Sequence, residues 1–264
     1  MIYNFPMKKR KQITNYLTFS SPNPFSISVA TPGWNGKLYY STDTKTWAEW
    51  TGNEVNATEA DGTYALYFIG VGNAKITGDF SNNWTLSGSS ISCTGNIESL
   101  LDYEIVAAGQ HPTMADYCYF AMFNDCTSLT TAPSLPATKL ADYCYGSMFG
   151  RCTSLTTAPS LPATKLADYC YYSMFYRCTS LTTVPSLPAT TLARFCYYSM
   201  FERCNKIKLA ISQNSEYDNE YRIPKLGNGV KAPQALSSMF AKTGGTFTGT
   251  PSINTTYYTS NTIV

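Results

Sequence analysis

One histidine, nine cysteines and a thin scatter of carboxylates are the residues of this 264-residue chain that could do chemistry. His111 precedes Pro112, with no cysteine or carboxylate constellation beside it in sequence. It reads as a surface or packing histidine rather than a base. Eight of the cysteines fall into two series, Cys118/144/170/196 and Cys126/152/178/204. Zinc sites take pairs two to four residues apart with histidines or further cysteines nearby, and a spacing of eight does not match. Eight residues of helix would separate paired Cα atoms by about 12 Å, beyond disulfide reach. The cysteines are therefore expected to be small buried apolar residues, with no metal and no cofactor. Cys93 stands alone.

Other motifs are equally bland. Gly70-Val71-Gly72-Asn73 lacks the helix and lysine of a phosphate loop. Ser41-Thr42-Asp43-Thr44-Lys45-Thr46-Trp47 is similar to an Asp-box hairpin, a folding motif in which the aspartate holds the turn and the tryptophan enters the core. Three Asn-X-Thr sequons, at Asn56, Asn83 and Asn254, carry little meaning. Paired carboxylates at glycosidase spacing leave no local signature. The expectation is that the protein is not an enzyme.

Four of the 19 Lys/Arg cluster at Lys8, Lys9, Arg10 and Lys11, so the rest of the chain carries 15 against 17 Asp/Glu and is slightly acidic. Such a body has no electrostatic case for nucleic acid. Charged residues make up only 14%, whereas tyrosine alone supplies 21 residues. That balance suits a polar, aromatic contact surface, because tyrosine offers rigid area at low entropic cost. Neither a signal peptide nor a run of 18 apolar residues is present, so no transmembrane segment is expected.

What must position these residues is a repeat. From Ala115, Ala141, Ala167 and Ala193 one pattern returns every 26 residues, clearest in "ADYCYGSMFGRCTSLTTAPSLPATKL" and "ADYCYYSMFYRCTSLTTVPSLPATTL". The fourth copy decays after Cys204, and "ALSSMFAKTGG" echoes it from Ala235. Such a period marks stacked repeats with a degenerate cap. On a wheel of about 100° per residue, Cys118, Met122, Cys126, Tyr119 and Phe123 share one face. Asp116, Phe120 and Asn124 oppose them, at the positions where the copies differ. "CTSLTTAPSLP" then reads as a short strand ended by proline. Each repeat is thus expected to be strand, turn and helix, stacked into an α/β solenoid. Strands stack closer than helices, which predicts a concave threonine ladder (Thr130, Thr156, Thr182) and a convex stripe of Tyr172, Tyr176 and Tyr198 bordered by Arg177 and Arg203.

The "F-x-x-C-T-S-L-T" core resembles the BspA-like leucine-rich repeats of bacterial surface proteins, over about residues 97–250. The resemblance implies a leucine-rich-repeat solenoid and adhesion or receptor binding. Its helical stretch is longer than the family's usual form. Before it, Ile13 to Gly95 shows seven short alternating segments separated by turns, which predicts a small all-β, immunoglobulin-like sandwich. The expected organisation is a basic tail (1–12), a β-sandwich domain (13–96) and the solenoid with its degenerate C-terminal cap (97–264). The functional expectation is a non-enzymatic recognition protein presenting a Tyr/Thr surface to a cell-surface glycan or protein, extracellular or on a virion as a phage receptor-binding or decoration protein. A BspA-type bacterial adhesin and a purely structural particle component are the alternatives, and a homo-oligomer would fit the virion readings.

Overall fold

The computed structural model describes residues 15–264. The basic tail expected at residues 1–12 lies outside them. The chain is built from small sheets and turns, and the only α-helix among the described residues is α1, Tyr103–Ala107. The expected fold, an α/β leucine-rich-repeat solenoid preceded by a small all-β, immunoglobulin-like sandwich, is corrected in its strand-turn-helix repeats: no repeat contains a helix.

The N-terminal part contributes β1 (Leu17–Ser21), β2 (Ser26–Ser28), β3 (Lys37–Ser41), β4 (Ala48–Trp50), β5 (Val55–Asn56), β6 (Thr58–Ala60), β7 (Thr63–Val71), β8 (Thr85–Ser87) and β9 (Ile91–Thr94). Strands β5, β2 and β8 make a three-stranded sheet. The larger sheet runs β9-β1-β7-β3-β4, with β6 on β7, and gains a seventh strand from the first repeat. That strand, β10 (Leu129–Thr131), pairs parallel with β9. Phe19, Phe68, Trp50 and Trp84 pack edge-on or stacked in the core with centroids 4.9–5.9 Å apart. Phe123 of the first repeat closes against Phe19 and Trp84, so one apolar core continues from the sheets into the repeats.

The stretch read as helix is a ribbon of overlapping turns. Tyr117, Tyr119, Ala121, Phe123 and Asp125 donate their N–H groups to Asp142, Cys144, Gly146, Met148 and Gly150 of the next repeat, at 2.8–2.9 Å. Between them Phe120, Met122, Asn124 and Cys126 donate to carbonyls three residues back. Every fourth residue takes positive φ: Tyr117 (61°), Ala121 (53°) and Asp125 (64°), and likewise in each later copy. Left-handed backbone costs about 1–2 kcal/mol for each such residue. The ribbon pairs most of its N–H groups in return, and it buries the inward Cys, Met, Tyr and Phe side chains. Tyrosine, cysteine, serine and phenylalanine are mediocre helix formers, so little local preference is sacrificed.

Identical residues consequently stack in register. Tyr119, Tyr145, Tyr171 and Tyr197 form one buried ladder at 5.6–5.8 Å. Phe123, Phe149, Phe175, Phe201 and Phe240 form a second at 5.4–5.7 Å. The last of these lies in the Ala235 echo, which is a genuine fifth coil: Tyr197, Ser199, Phe201 and Arg203 donate to Ala235, Ser237, Met239 and Ala241. Segments before and after this coil form a four-stranded sheet, Lys208–Ala210, Asn219–Arg222, Gly244–Gly245 and Thr256–Thr259.

All nine cysteines are free and buried. The thiols of Cys126, Cys152, Cys178 and Cys204 donate to the carbonyls of Trp84, Phe123, Phe149 and Phe175, at 2.9–3.1 Å. Burial pushes the Cys126 and Cys144 thiols up to about 12. They are packing residues that also carry a hydrogen bond across the coils. Among the described residues no helix is long and apolar enough to cross a membrane.

Candidate functional site

Three places hold polar groups that the fold leaves available. The first is a notch in the ribbon's outer face. At the outward positions the copies read Phe120, Gly146, Tyr172, Tyr198 and Asn124, Gly150, Tyr176, Glu202. The second copy thus presents glycine at both, and both glycines are buried. Phe120 leans over Gly146, where an added Cβ would lie 2.9 Å from its ring, and Asn124 covers Gly150. Gly150 lines a groove of about 540 Å³ that runs across the coils from Phe80 to Glu202. Phe80 and Asn124 form one wall and Tyr172, Tyr176 and Tyr198 the other, over a floor of Ser147, Ser173 and Ser199. Arg151, Asp125 and Glu202 stand at its rim. Tyr172 and Tyr198 stack at 5.4 Å and 8°, while Phe80 is held edge-on to Phe120 at 4.9 Å.

This geometry unites three residues chosen from sequence, Tyr172, Tyr176 and Tyr198. Arg177 and Arg203 lie in a neighbouring groove of about 440 Å³, with Arg151, Lys242 and Asp125. Arg177 sits with its guanidinium carbon 5.2 Å from the Tyr176 ring centre. The threonines line neither groove. Thr130 donates its hydroxyl to the Ile91 carbonyl and Thr182 to that of Thr156, both at 3.0 Å, so they tie coils together. Without helices, the curvature that was to make one face concave and the other convex loses its basis.

Sequence reasoning missed Phe80, Arg151, Lys242 and Gly150 as site-builders. It also missed an outer ladder, Tyr117, Tyr143, Tyr169 and Phe195, stacked face to face at 4.3–4.6 Å. The signal was there: an aromatic residue two places after each copy's opening alanine.

The third place joins the one histidine to a carboxylate. His111 Nδ1 lies 2.7 Å from Glu98 Oε2, beside a groove of about 390 Å³. Glu98 is wholly buried, and its Oε1 has no hydrogen-bond partner. Burial raises the carboxyl above its usual range, and the hydrogen bond from His111 only partly offsets this. Among the described residues no hydroxyl or thiol hydrogen-bonds to the ring or the carboxylate. The folded state therefore holds the Glu98 proton more tightly than the unfolded chain. The associated stability is full below the ordinary carboxylate range and is lost as pH rises through the raised value. Glu98→Gln should be close to neutral for thermal stability at about pH 4 and stabilising at about pH 7. Equal destabilisation in melts at both values would refute this.

The Asp-box-like turn behaves as a turn. Asp43 Oδ1 accepts from the N–H groups of Lys45 and Thr46, both at 2.8 Å, which with the Ser41 hydroxyl lowers its pKa against the opposing effect of burial. Trp47 stays half-exposed, however, and Trp50 is the tryptophan that enters the core. Among the described residues no group of three or more His, Cys, Asp or Glu side chains is placed to hold a metal ion. Comparison of the chain with protein-family models, curated proteins and solved structures finds no match.

Proposed function

We propose that this chain is a non-catalytic recognition protein that takes a cell-surface glycan into the notch over Gly150, presented on a virion or a cell exterior. The observation that carries the reading is the break in an otherwise regular surface. Where the third and fourth coils carry Tyr176 and Glu202, the second has Gly150, and the groove over it is lined by Phe80, Tyr172, Tyr176 and Tyr198. Such rings offer electron-rich faces to the C–H face of a pyranose. Serine, asparagine and carboxylate groups at the floor and rim supply the few placed polar contacts that fix orientation. A volume of about 540 Å³ accommodates a mono- or disaccharide.

The test is staining by fluorescently labelled protein of a panel of bacterial strains, epithelial cells and mucin-coated beads, followed by competition with purified glycans. Selective staining, with affinity for the competing glycan cut about tenfold in Tyr172→Ala and Tyr198→Ala, is expected for removal of a wall ring contributing about 1.4 kcal/mol. The cell type that stains decides between a phage-type binder and an adhesin. Absence of staining throughout, or variants that bind as well as the parent, would refute glycan recognition in the notch.

A further inference from the structure

Beside the notch, the structure carries a second feature, a row of cations. Arg151, Arg177 and Arg203 occupy the same position in successive coils, and Lys242 occupies it in the fifth. Each sits at a positive-φ position, 59–65°, so all four leave the ribbon at the same point and line one groove. The coil spacing, seen in the ladder of Phe149, Phe175, Phe201 and Phe240 two residues before them at 5.4–5.7 Å, sets their interval. Like charges held at that interval repel, and the chain does little to relieve them. Only the first has a full counterion, since Arg151 reaches Asp125 at 3.4 Å. Arg203 approaches Glu202 at 3.7 Å, too far to hydrogen-bond. Arg177 and Lys242 have no carboxylate within ion-pair distance among the described residues. The Nε atoms of Arg177 and Arg203 are buried without any hydrogen-bond acceptor. The terminal guanidinium nitrogens are thus the donors left for a ligand, and such charge-assisted bonds are strong.

We infer that this ladder binds a linear acidic polysaccharide lying along the stack, one anionic group per coil or per two coils. This deepens the proposed glycan recognition and rests on it. The coil interval is comparable to the length of one sugar residue in an extended chain. The hydroxyls of Thr127, Thr153 and Thr179 flank the cations in the same groove, and among the described residues they make no hydrogen bonds of their own. They can serve sugar hydroxyls between the charges. Arg151 belongs to both grooves, so one oligosaccharide can place a neutral ring in the notch and its acidic run on the ladder. The Asp125 end repels anions, which gives the bound chain a terminus there.

The test measures affinity of the full chain for polygalacturonate, hyaluronan and heparin, with dextran, polyglutamate and duplex DNA alongside. Binding to at least one acidic polysaccharide is expected, weakening about 10- to 100-fold for a fourfold rise in salt. Arg177→Gln and Arg203→Gln should each cost about tenfold and flatten the salt dependence, while Arg177→Lys keeps the slope. A variant with Lys8, Lys9, Arg10 and Lys11 changed to Ser should bind as the parent does. Melting temperatures of all variants guard against unfolding. Loss of binding in the tail variant, equal affinity for DNA or polyglutamate, or indifference to Arg177→Gln would overturn the inference. A neutral glycan lost by Tyr172→Ala but untouched by the arginine variants would sink the ladder and spare the notch. Polyanion binding sensitive to the arginines but not to Tyr172→Ala would do the reverse.

Discussion

Phe175→Ala should cost about 3–5 kcal/mol of stability, a large share of the 5–15 kcal/mol typical of a folded domain. Phe175 is fully buried at the middle of the phenylalanine ladder, 5.7 Å from Phe149 and 5.5 Å from Phe201. The cost of a cavity depends on how far its walls can close, and here they are held from both sides. The Phe175 N–H donates to the Met200 carbonyl at 2.9 Å, and the Phe149 N–H donates to the Met174 carbonyl at 3.0 Å. The Phe175 carbonyl in turn accepts the Cys204 thiol at 2.9 Å. Collapse would break this cross-coil ladder, so the cost belongs at the upper end of the range. In stacked repeats each unit is stabilised mainly by its neighbours, and the change weakens two interfaces at once. Chemical denaturation should find the parent most stable, Phe175→Leu next and Phe175→Ala least stable. A penalty below about 1 kcal/mol for the alanine variant would mean that the ladder is not what holds the coils together.

That ladder was half legible in the sequence. The 26-residue period, the four copies and the Ala235 echo could be read directly, and so could the buried set of Cys118, Tyr119, Met122, Phe123 and Cys126. The element that buries them could not. A ribbon with positive φ at every fourth residue brings positions i and i+4 to one face, and over the nine residues from Cys118 to Cys126 a helix does nearly the same. The discriminating hydrogen bonds run from one copy to the next, from Tyr119 to Cys144 and from Phe123 to Met148, and no local pattern reports them. The many Tyr, Cys, Ser and Phe residues, with Gly146 and Gly150 inside the supposed helix, were the warning. The same error displaced the site argument. Tyr172, Tyr176 and Tyr198 stood out because the copies vary there, but the glycines at the same positions were read as variation rather than as a gap. Phe80 and the Glu98–His111 pair reach their places only through tertiary folding, across stretches that carry no motif.

Gly150→Tyr should abolish glycan binding, by 100-fold or about 2.7 kcal/mol at least, while leaving the melting temperature within about 4 °C of the parent. The change copies onto the second coil the tyrosine that the third coil already carries at Tyr176, on backbone of the same conformation. Gly150 has ordinary negative φ, so a side chain there brings no left-handed strain. An added Cβ would meet the Asn124 side-chain nitrogen at 2.4 Å, which is the free end of a short side chain whose bond to the Ser147 carbonyl is long, at 3.4 Å. Asn124 can swing away at small cost, and the new ring gains Tyr176 as a stacking neighbour at the coil spacing. Filling the notch thus removes the binding volume without removing any group that contacts the ligand, which the alanine variants of Tyr172 and Tyr198 cannot do. Gly146→Tyr would be a poorer probe, because its Cβ meets the Phe120 ring at 2.9 Å and would push on the wall of Phe80. If Gly150→Tyr folds and binds its glycan as the parent does, the ligand sits elsewhere on the ribbon and the gap is only a place where the coil economises on side chains. If it folds and binding disappears while acidic polysaccharide still associates in a salt-dependent way, the notch and the arginine ladder are separate sites that happen to share Arg151.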